Sequence, residues 1–310
     1  MRHDTAGDPI TGVKWSRRTT RKVAEELTAL GIAVSKNTVG RLLKQLKFKL
    51  RVNRKQIAST KNPDRNQQFL YIGQQRERFA NQGMPIISVD SVDAKKTEQV
   101  GNFKNAGAKW DREPVLVKDH DFRSEADGLA IPYGIYDTQA NRGAVFVGTS
   151  HNTPAFAVDA IAQWWLKEGC QRYPTAHELF ILADGGGSNG PRSRVWRKAL
   201  QDTICTPLGL VVTVSHYPPG ASKWNPIEHR LFSKISNNWA GEPLTDIDKI
   251  LKFIRTTQTQ SGLTVSAYLM PENYETGIKI SDAEMHQLNL VPHEMLGRWN
   301  YTVRPSQNVN

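Results

Sequence analysis

Leu179-Phe180-Ile181-Leu182-Ala183-Asp184-Gly185-Gly186-Gly187 is the stretch from which the fold can be read. An unbroken apolar run of this length predicts a fully buried strand. It ends on an acid at its exposed tip. Three glycines follow, which let a ligand approach the backbone closely and permit positive φ. No Lys-Ser/Thr pair comes after them, so this is not a nucleotide-binding P-loop. A second segment, Asn225-Pro226-Ile227-Glu228-His229-Arg230, follows after one predicted helix and one predicted strand. It reads as a helix start, with Asn225 as N-cap, Pro226 at the first helical position and Glu228 completing a capping box. Glu228 also heads the stripe Leu231, Phe232, Ile235, Trp239, which turns it toward the interior. A carboxylate there is costly unless it is paired or metal-bound. A third segment, Ile86-Ile87-Ser88-Val89 after Pro85, is a short buried strand that runs into Asp90. Three converging carboxylates repel one another unless a hard cation lies between them, and all-oxygen ligands suit Mg²⁺ or Mn²⁺.

Around these segments strands and helices alternate. Ile131–Tyr136 and Ala144–Ser150 form a strand pair about the turn Asn141-Arg142-Gly143, and Gln99–Lys104 is expected to return as the hairpin partner of the strand before Asp90. Thr153–Glu168, Arg192–Leu200, Pro226–Trp239 and Leu244–Ile254 read as helices, and Leu210–Val214 as another buried strand. The expected fold class is α/β, a mixed sheet flanked by helices in the order of an RNase H-like domain. Such a domain draws its acids from the first strand, the fourth strand and the last helix.

The 310 residues carry a net charge of +11, unevenly placed. Residues 1–80 hold 18 Lys/Arg against 6 Asp/Glu, whereas the other 230 hold 23 against 24. One end therefore has the footprint of a polyanion binder. Within it, Thr20–Leu30 has Val23, Leu27 and Leu30 on one stripe and is stopped by Gly31. Ser35 caps a second helix, Lys36 to Leu46, with Val39, Leu42, Leu43 and Leu46 inward. This is the pattern of a helix-turn-helix. Lys36, Asn37, Thr38 and Arg41 front the second helix where base and phosphate contacts are made. Arg17, Arg18, Arg21, Lys44, Arg51, Arg54 and Lys55 add to this DNA-binding set. Lys223 and Arg230 are candidate phosphate contacts, and Asn189, His216 and His229 are candidate auxiliary residues near the acids.

The expected organisation is a DNA-binding segment at 1–58, a linker and connecting helix at 59–82, a catalytic domain at 83–242 and an extension packed on it at 243–310. No apolar run reaches the ~18 residues of a spanning helix, and the charged start of the chain is not followed by a signal-peptide core. Cys170 and Cys205 form no CxxC motif, which argues against a disulfide framework and for a reducing cytoplasm.

The three acid blocks, taken together, resemble the Rhodopirellula-type DDE transposases of bacterial insertion sequences. Ile87-Ser88-Val89-Asp90, Ala94-Lys95-Lys96-Thr97-Glu98 and Gly101-Asn102-Phe103-Lys104-Asn105 match the first block. Ala183-Asp184-Gly185-Gly186-Gly187-Ser188-Asn189-Gly190 matches the second. His216-Tyr217-Pro218-Pro219-Gly220 with Ser222-Lys223-Trp224-Asn225-Pro226-Ile227-Glu228-His229 matches the third, which is also similar to the Asn-Pro-x-Glu signature of mariner-like elements. Ser88-Val89-Asp90 is followed at once by Ser91-Val92-Asp93. Counted from Pro85 the first acid is Asp90; counted back from Gly101 it is Asp93, which the longer downstream match favours. A three-residue shift reverses the strand face, so both are not equivalent ligands.

The resemblance implies an enzyme that cuts transposon ends and joins the freed 3′-hydroxyl to target DNA. The metal and catalytic residues would be Asp90 or Asp93, Asp184 and Glu228, holding two Mg²⁺ or Mn²⁺ ions. It implies double-stranded DNA as partner, a homodimer on DNA, no membrane, no small-molecule substrate, and a place in the bacterial cytoplasm at the nucleoid. The family usually has further N-terminal sequence, so a shortened copy is expected. The alternatives are a non-cutting regulator derived from a transposase and an RNase H-like nuclease.

Overall fold

In the computed structural model, residues 5–7, 14–16, 19–48, 63–91, 98–221 and 224–306 are described. The chain divides into two compact units, Met1–Ser59 and Thr60–Asn310. The first holds a two-stranded antiparallel ribbon, β1 (Thr5–Gly7) and β2 (Lys14–Ser16), and two helices, α1 (Thr20–Ala29) and α2 (Lys36–Gln45). Both helices begin on hydroxyl caps: Thr19 accepts from Lys22 N at 3.2 Å, and Ser35, the cap expected from the sequence, from Thr38 N at 3.1 Å. Gly31, at φ +83, ends the first. Ala24 of α1 and Val39 of α2 are buried, but Leu30, Leu42 and Leu46, expected inward, are exposed. Two ten-residue helices share only one seam and cannot cover two full stripes.

The second unit begins with α3 (Arg65–Asn81), whose Ile72 and Phe79 are buried. Then come β3 (Ile86–Ser91), β4 (Glu98–Val100), β5 (Gly128–Asp137) and β6 (Arg142–Gly148). Helix α4 (Pro154–Trp164) passes through a π turn into α5 (Cys170–Arg172), followed by β7 (Glu178–Ala183). Helix α6 (Arg194–Ala199) likewise passes through a π turn into α7 (Thr206–Leu208), and β8 (Val211–His216) follows. A π turn at Glu228–Phe232 opens α8 (Ser233–Asn238). The chain closes with α9 (Ile247–Arg255), β9 (Thr264–Met270), α10 (Asp282–His286), β10 (Leu290–Pro292) and β11 (Asn300–Val303). Among the described residues no helix is long and apolar enough to cross a membrane.

These strands make one nine-stranded mixed sheet in the order β10-β11-β8-β7-β3-β5-β6-β9, with β4 on β5. β3, β7 and β8 run parallel, β5 turns back antiparallel to β3, and β6, antiparallel to β5, runs again in the direction of β3. The first strand of this unit thus lies at the centre of a mixed sheet, the class expected from the sequence, with the fourth long strand next to it. Two differences stand out. Glu98–Val100 pairs with β5 rather than with β3, because both edges of β3 are already taken by β5 and β7. And the C-terminal residues are not merely packed on the core: β9 extends one side of the sheet and β11 the other.

Helices cover both faces. Ile87, Val89, Tyr133, Ile135 and Phe146 pack with Phe156, Ile161, Trp164 and Trp196 on one side. Tyr136, Val145 and Val147 pack with Ile227, Leu231, Phe232 and Ile250 on the other. Phe79 of α3 stacks on Phe180 of β7 at 4.9 Å between ring centroids.

Candidate active site

The parallel pairing of β3 with β7 runs up to Val89 opposite Ala183. Asp90 and Asp184 are the next residues on each strand, so register alone sets the two acids side by side at the carboxyl ends of neighbouring parallel strands. That edge is where open α/β sheets collect their ligands. Asp90 is buried, and Asp184 is half-buried at the start of the glycine loop.

The third acid arrives from across the sheet. Asp90 lies opposite Gly134 on β5, and directly opposed residues of an antiparallel pair share a face. A Cβ on Gly134 would come within 2.6 Å of Phe232 Cζ and 2.9 Å of Ile227 Cδ1, and one on Gly143 would strike Leu231. The two missing side chains therefore let the segment carrying Glu228 lie directly against the face that bears Asp90. Its first residues are tied down by β3 itself. Ser88 Oγ donates to Asn225 Oδ1 and accepts from Ile227 N at 3.2 Å, and Asn225 Nδ2 donates to Val89 O at 3.3 Å. Asn225, expected as an N-cap, thus spends its side chain on the strand of Asp90, while Ser88 takes over the helix-start N–H of Ile227. The π turn that follows keeps Leu231 and Phe232 buried with Glu228 half-buried at the rim.

Burial pushes the Asp90 carboxyl well above the usual carboxylate range, and the negative charges of Asp184 and Glu228 push it further, against opposing hydrogen bonds from Ser91 N–H and the Asn225 side chain. Asp184 is also raised by burial, tempered by its bond from Gly186 N at 3.2 Å. Among the described residues no three His, Cys, Asp or Glu side chains already form a metal cage. The donor chemistry nevertheless fits a hard divalent cation: three carboxylates of which one feels both others, with no nitrogen or sulfur ligand in the set.

His216, a candidate auxiliary residue, has a structural place beside Asp184. It is fully buried, and both ring nitrogens are engaged within the protein. Nδ1 donates to the Asp184 carbonyl oxygen at 3.0 Å, because a carbonyl can only accept. Nε2 must then accept from the Tyr301 hydroxyl at 3.0 Å, whose oxygen accepts from Trp196 Nε1 at 2.8 Å. Burial keeps the ring neutral, with its pKa lowered to about 4. This chain of bonds braces the backbone of Asp184 from the C-terminal strand β11. The partner of Tyr301 lies 85 positions away, so no local pattern reveals this role.

Asn189 is buried, and its Oδ1 accepts from Tyr133 OH at 2.8 Å. His229 and Arg230 are exposed on the π turn. In the N-terminal unit, Lys36, Asn37, Arg41 and Lys44 are exposed along α2 and Thr38 is half-buried; Arg21 of α1 is exposed and pairs with Glu25 at 3.6 Å. Arg17, Arg18, Arg51, Arg54, Lys55, Asp93 and Lys223 lie outside the described residues.

Solved structures of similar fold are complexes of the Mos1 transposase. The paired-end complex with the left transposon end is 16% identical over 76% of this chain and 65% of that one, with a TM-score of 0.44. The Mos1 strand transfer complex is 15% identical over 76% and 64%, with a TM-score of 0.45. The mariner Mos1 paired-end complex with Mn is 14% identical over 76% and 65%, with a TM-score of 0.43. The chain thus spans just under two thirds of the Mos1 chain. No curated protein sequence matches it. The profile of the Rhodopirellula transposase DDE domain matches residues 1–305, and the chain belongs to that family.

Proposed function

We propose that the protein is a DNA transposase that cuts the ends of its element and joins the freed 3′-hydroxyl to target DNA, with Asp90, Asp184 and Glu228 as its catalytic carboxylates. The observation that supports this is the register that sets Asp90 beside Asp184 at the ends of neighbouring parallel strands, where the charges of Asp184 and Glu228 both act on the buried Asp90. Of the two candidates for the first acid we assign Asp90, because the charges of Asp184 and Glu228 act on it; Asp93 lies outside the described residues. The three side chains would hold two Mg²⁺ or Mn²⁺ ions, which when bound supply activation of water and stabilisation of the leaving oxygen. The chain's own contribution is positional. Register holds Asp90 beside Asp184, Ser88 and Asn225 fix the segment of Glu228, and His216 fixes the backbone of Asp184. The basic N-terminal unit would grip the transposon ends, and two ends handled together call for two copies of the chain, in the bacterial cytoplasm.

Strand transfer with terminal inverted repeats and Mg²⁺ tests this. The expected outcome is joined product from the native chain, with none from Asp184→Asn or Glu228→Gln while gel-shift affinity for the ends persists. Bound but uncut DNA from the native chain would instead make it a regulator, and nicks without joining would make it a nuclease. Near-normal joining by either variant rejects the assignment of the acids.

A further inference from the structure

The turn after Asp184 has a second chemical feature that the three acids leave unused. Gly187 stands at φ +59, a conformation that favours glycine, and there the chain turns inward. Three exposed glycines are followed by two buried polar residues, Ser188 at 3% and Asn189 at 1% exposure. The Tyr133 hydroxyl donates to Asn189 Oδ1 and so fixes the amide, with Nδ2 on its other arm. Among the described residues Asn189 Nδ2 has no hydrogen-bond partner, and neither does Ser188 Oγ. Buried donors without partners are few in native structures, and each one calls for an explanation.

Their position supplies one. Tyr133 lies opposite Ser91, the residue that follows Asp90, and the turn Gly187–Asn189 lies beside the strand that carries Asp90. After burial, the charges of Asp90 and Asp184 are what raise the Tyr133 phenol, so the residue that holds Asn189 lies within the field of both acids. An anion brought among carboxylates needs donors that carry no negative charge. An amide NH₂ donates without pairing off the acids as a lysine would, and leaves them free to hold cations.

We propose that the side-chain amide of Asn189 binds a non-bridging oxygen of the phosphodiester held at the three acids, with the Ser188 hydroxyl beside it as a second donor. This rests on the assignment of Asp90, Asp184 and Glu228 as the catalytic carboxylates. It makes the glycine turn a phosphate seat as well as the carrier of the second acid.

Two measurements on the full chain test it. The first is a titration of asparagine-¹⁵N-labelled protein with inorganic phosphate in the presence of Mg²⁺. The Asn189 side-chain resonances, identified by their loss in Asn189→Ala, are expected to shift saturably with phosphate and to stay fixed with chloride. The second is Mn²⁺-dependent nicking of supercoiled plasmid. Asn189→Ala is expected to lower the maximal rate about 100-fold, the usual effect of removing one transition-state donor, with the Mn²⁺ concentration for half-maximal rate unchanged. Asn189→Asp should be slower still, because a fourth carboxylate repels the phosphate. Tyr133→Phe, which keeps the donor but frees the amide, should fall between native and Asn189→Ala. Unmoved resonances, a native rate in Asn189→Ala, or a rate loss that tracks a shifted Mn²⁺ requirement would each overturn the proposal. Asp184→Asn separates the two claims: if it nicks normally, the acids are misassigned whatever Asn189 does. If it is inactive while Asn189→Ala is unimpaired, only the phosphate seat fails.

Discussion

The carboxyl of Asp90 is where the electrostatic cost of the site is concentrated. Burial and two like charges act on it together, and in the absence of a cation this destabilises the fold. Asparagine has the same shape and can still accept from Asn225. Asp90→Asn is therefore expected to stabilise the cation-free protein by about 1–3 kcal/mol, the range for relieving an ill-matched buried polar group. Mg²⁺ should raise the thermal midpoint of the native chain, by binding only its folded form, and leave that of Asp90→Asn nearly unchanged. Melting curves with and without Mg²⁺ read both effects, and an equal Mg²⁺ shift in the two proteins would remove Asp90 from the metal site. The candidate acids stand out in the sequence because each ends or begins a local pattern. The choice between Asp90 and Asp93 was not legible there, since both follow the same Ser-Val pair; what favours Asp90 is its proximity to Asp184 and Glu228 across three elements.

At the level of elements, the site depends on how closely the π turn and α8 approach the sheet. Gly134 and Gly143 are the places where that approach is made. Gly134→Ala would drive a methyl into Phe232 and Ile227, displacing the segment that carries Glu228. A loss of about 1–3 kcal/mol in denaturant-unfolding stability is expected, the usual range for overpacking a filled core, together with a loss of Mn²⁺-dependent nicking. An alanine variant with native stability and rate would show that Glu228 is not placed by this contact. The helix after Asn225 was readable from its stripe, and Leu231, Phe232, Ile235 and Trp239 are indeed buried. The role of Asn225 was not readable. A local rule makes it a cap, but Ser88, 137 positions away, offers it a better-buried partner and supplies the helix-start hydrogen bond in its place.

Across the whole molecule, charge and chemistry are divided between the two units. The surplus of basic residues lies in the first 80 positions, and the three acids lie in the unit that starts at Thr60. That second unit holds the three hydrophobic clusters, apart from the helix pair. A chain of residues 60–310 is expected to fold and to keep its Mg²⁺-dependent thermal shift. It should bind DNA more weakly than the full chain, with a shallower loss of affinity between 50 and 200 mM salt because fewer phosphates are neutralised. Equal affinity and equal salt slope in gel-shift assays would relocate the DNA grip to the catalytic unit. Ending the chain before β10 should have the opposite consequence: without β11 the edge of β8 and the brace on Asp184 are both lost, and no folded protein should be recovered.

Local chemistry in the sequence determined the elements and the candidate acids, because hydrophobic period, caps and glycine turns act over a few residues and leave their mark there. Tertiary structure alone decided which residues hold those acids. Ser88 on Asn225, Tyr301 on His216, Tyr133 on Asn189 and the bare faces of Gly134 and Gly143 are contacts between segments far apart in the chain. Their energy depends on burial and geometry that exist only once the sheet has closed.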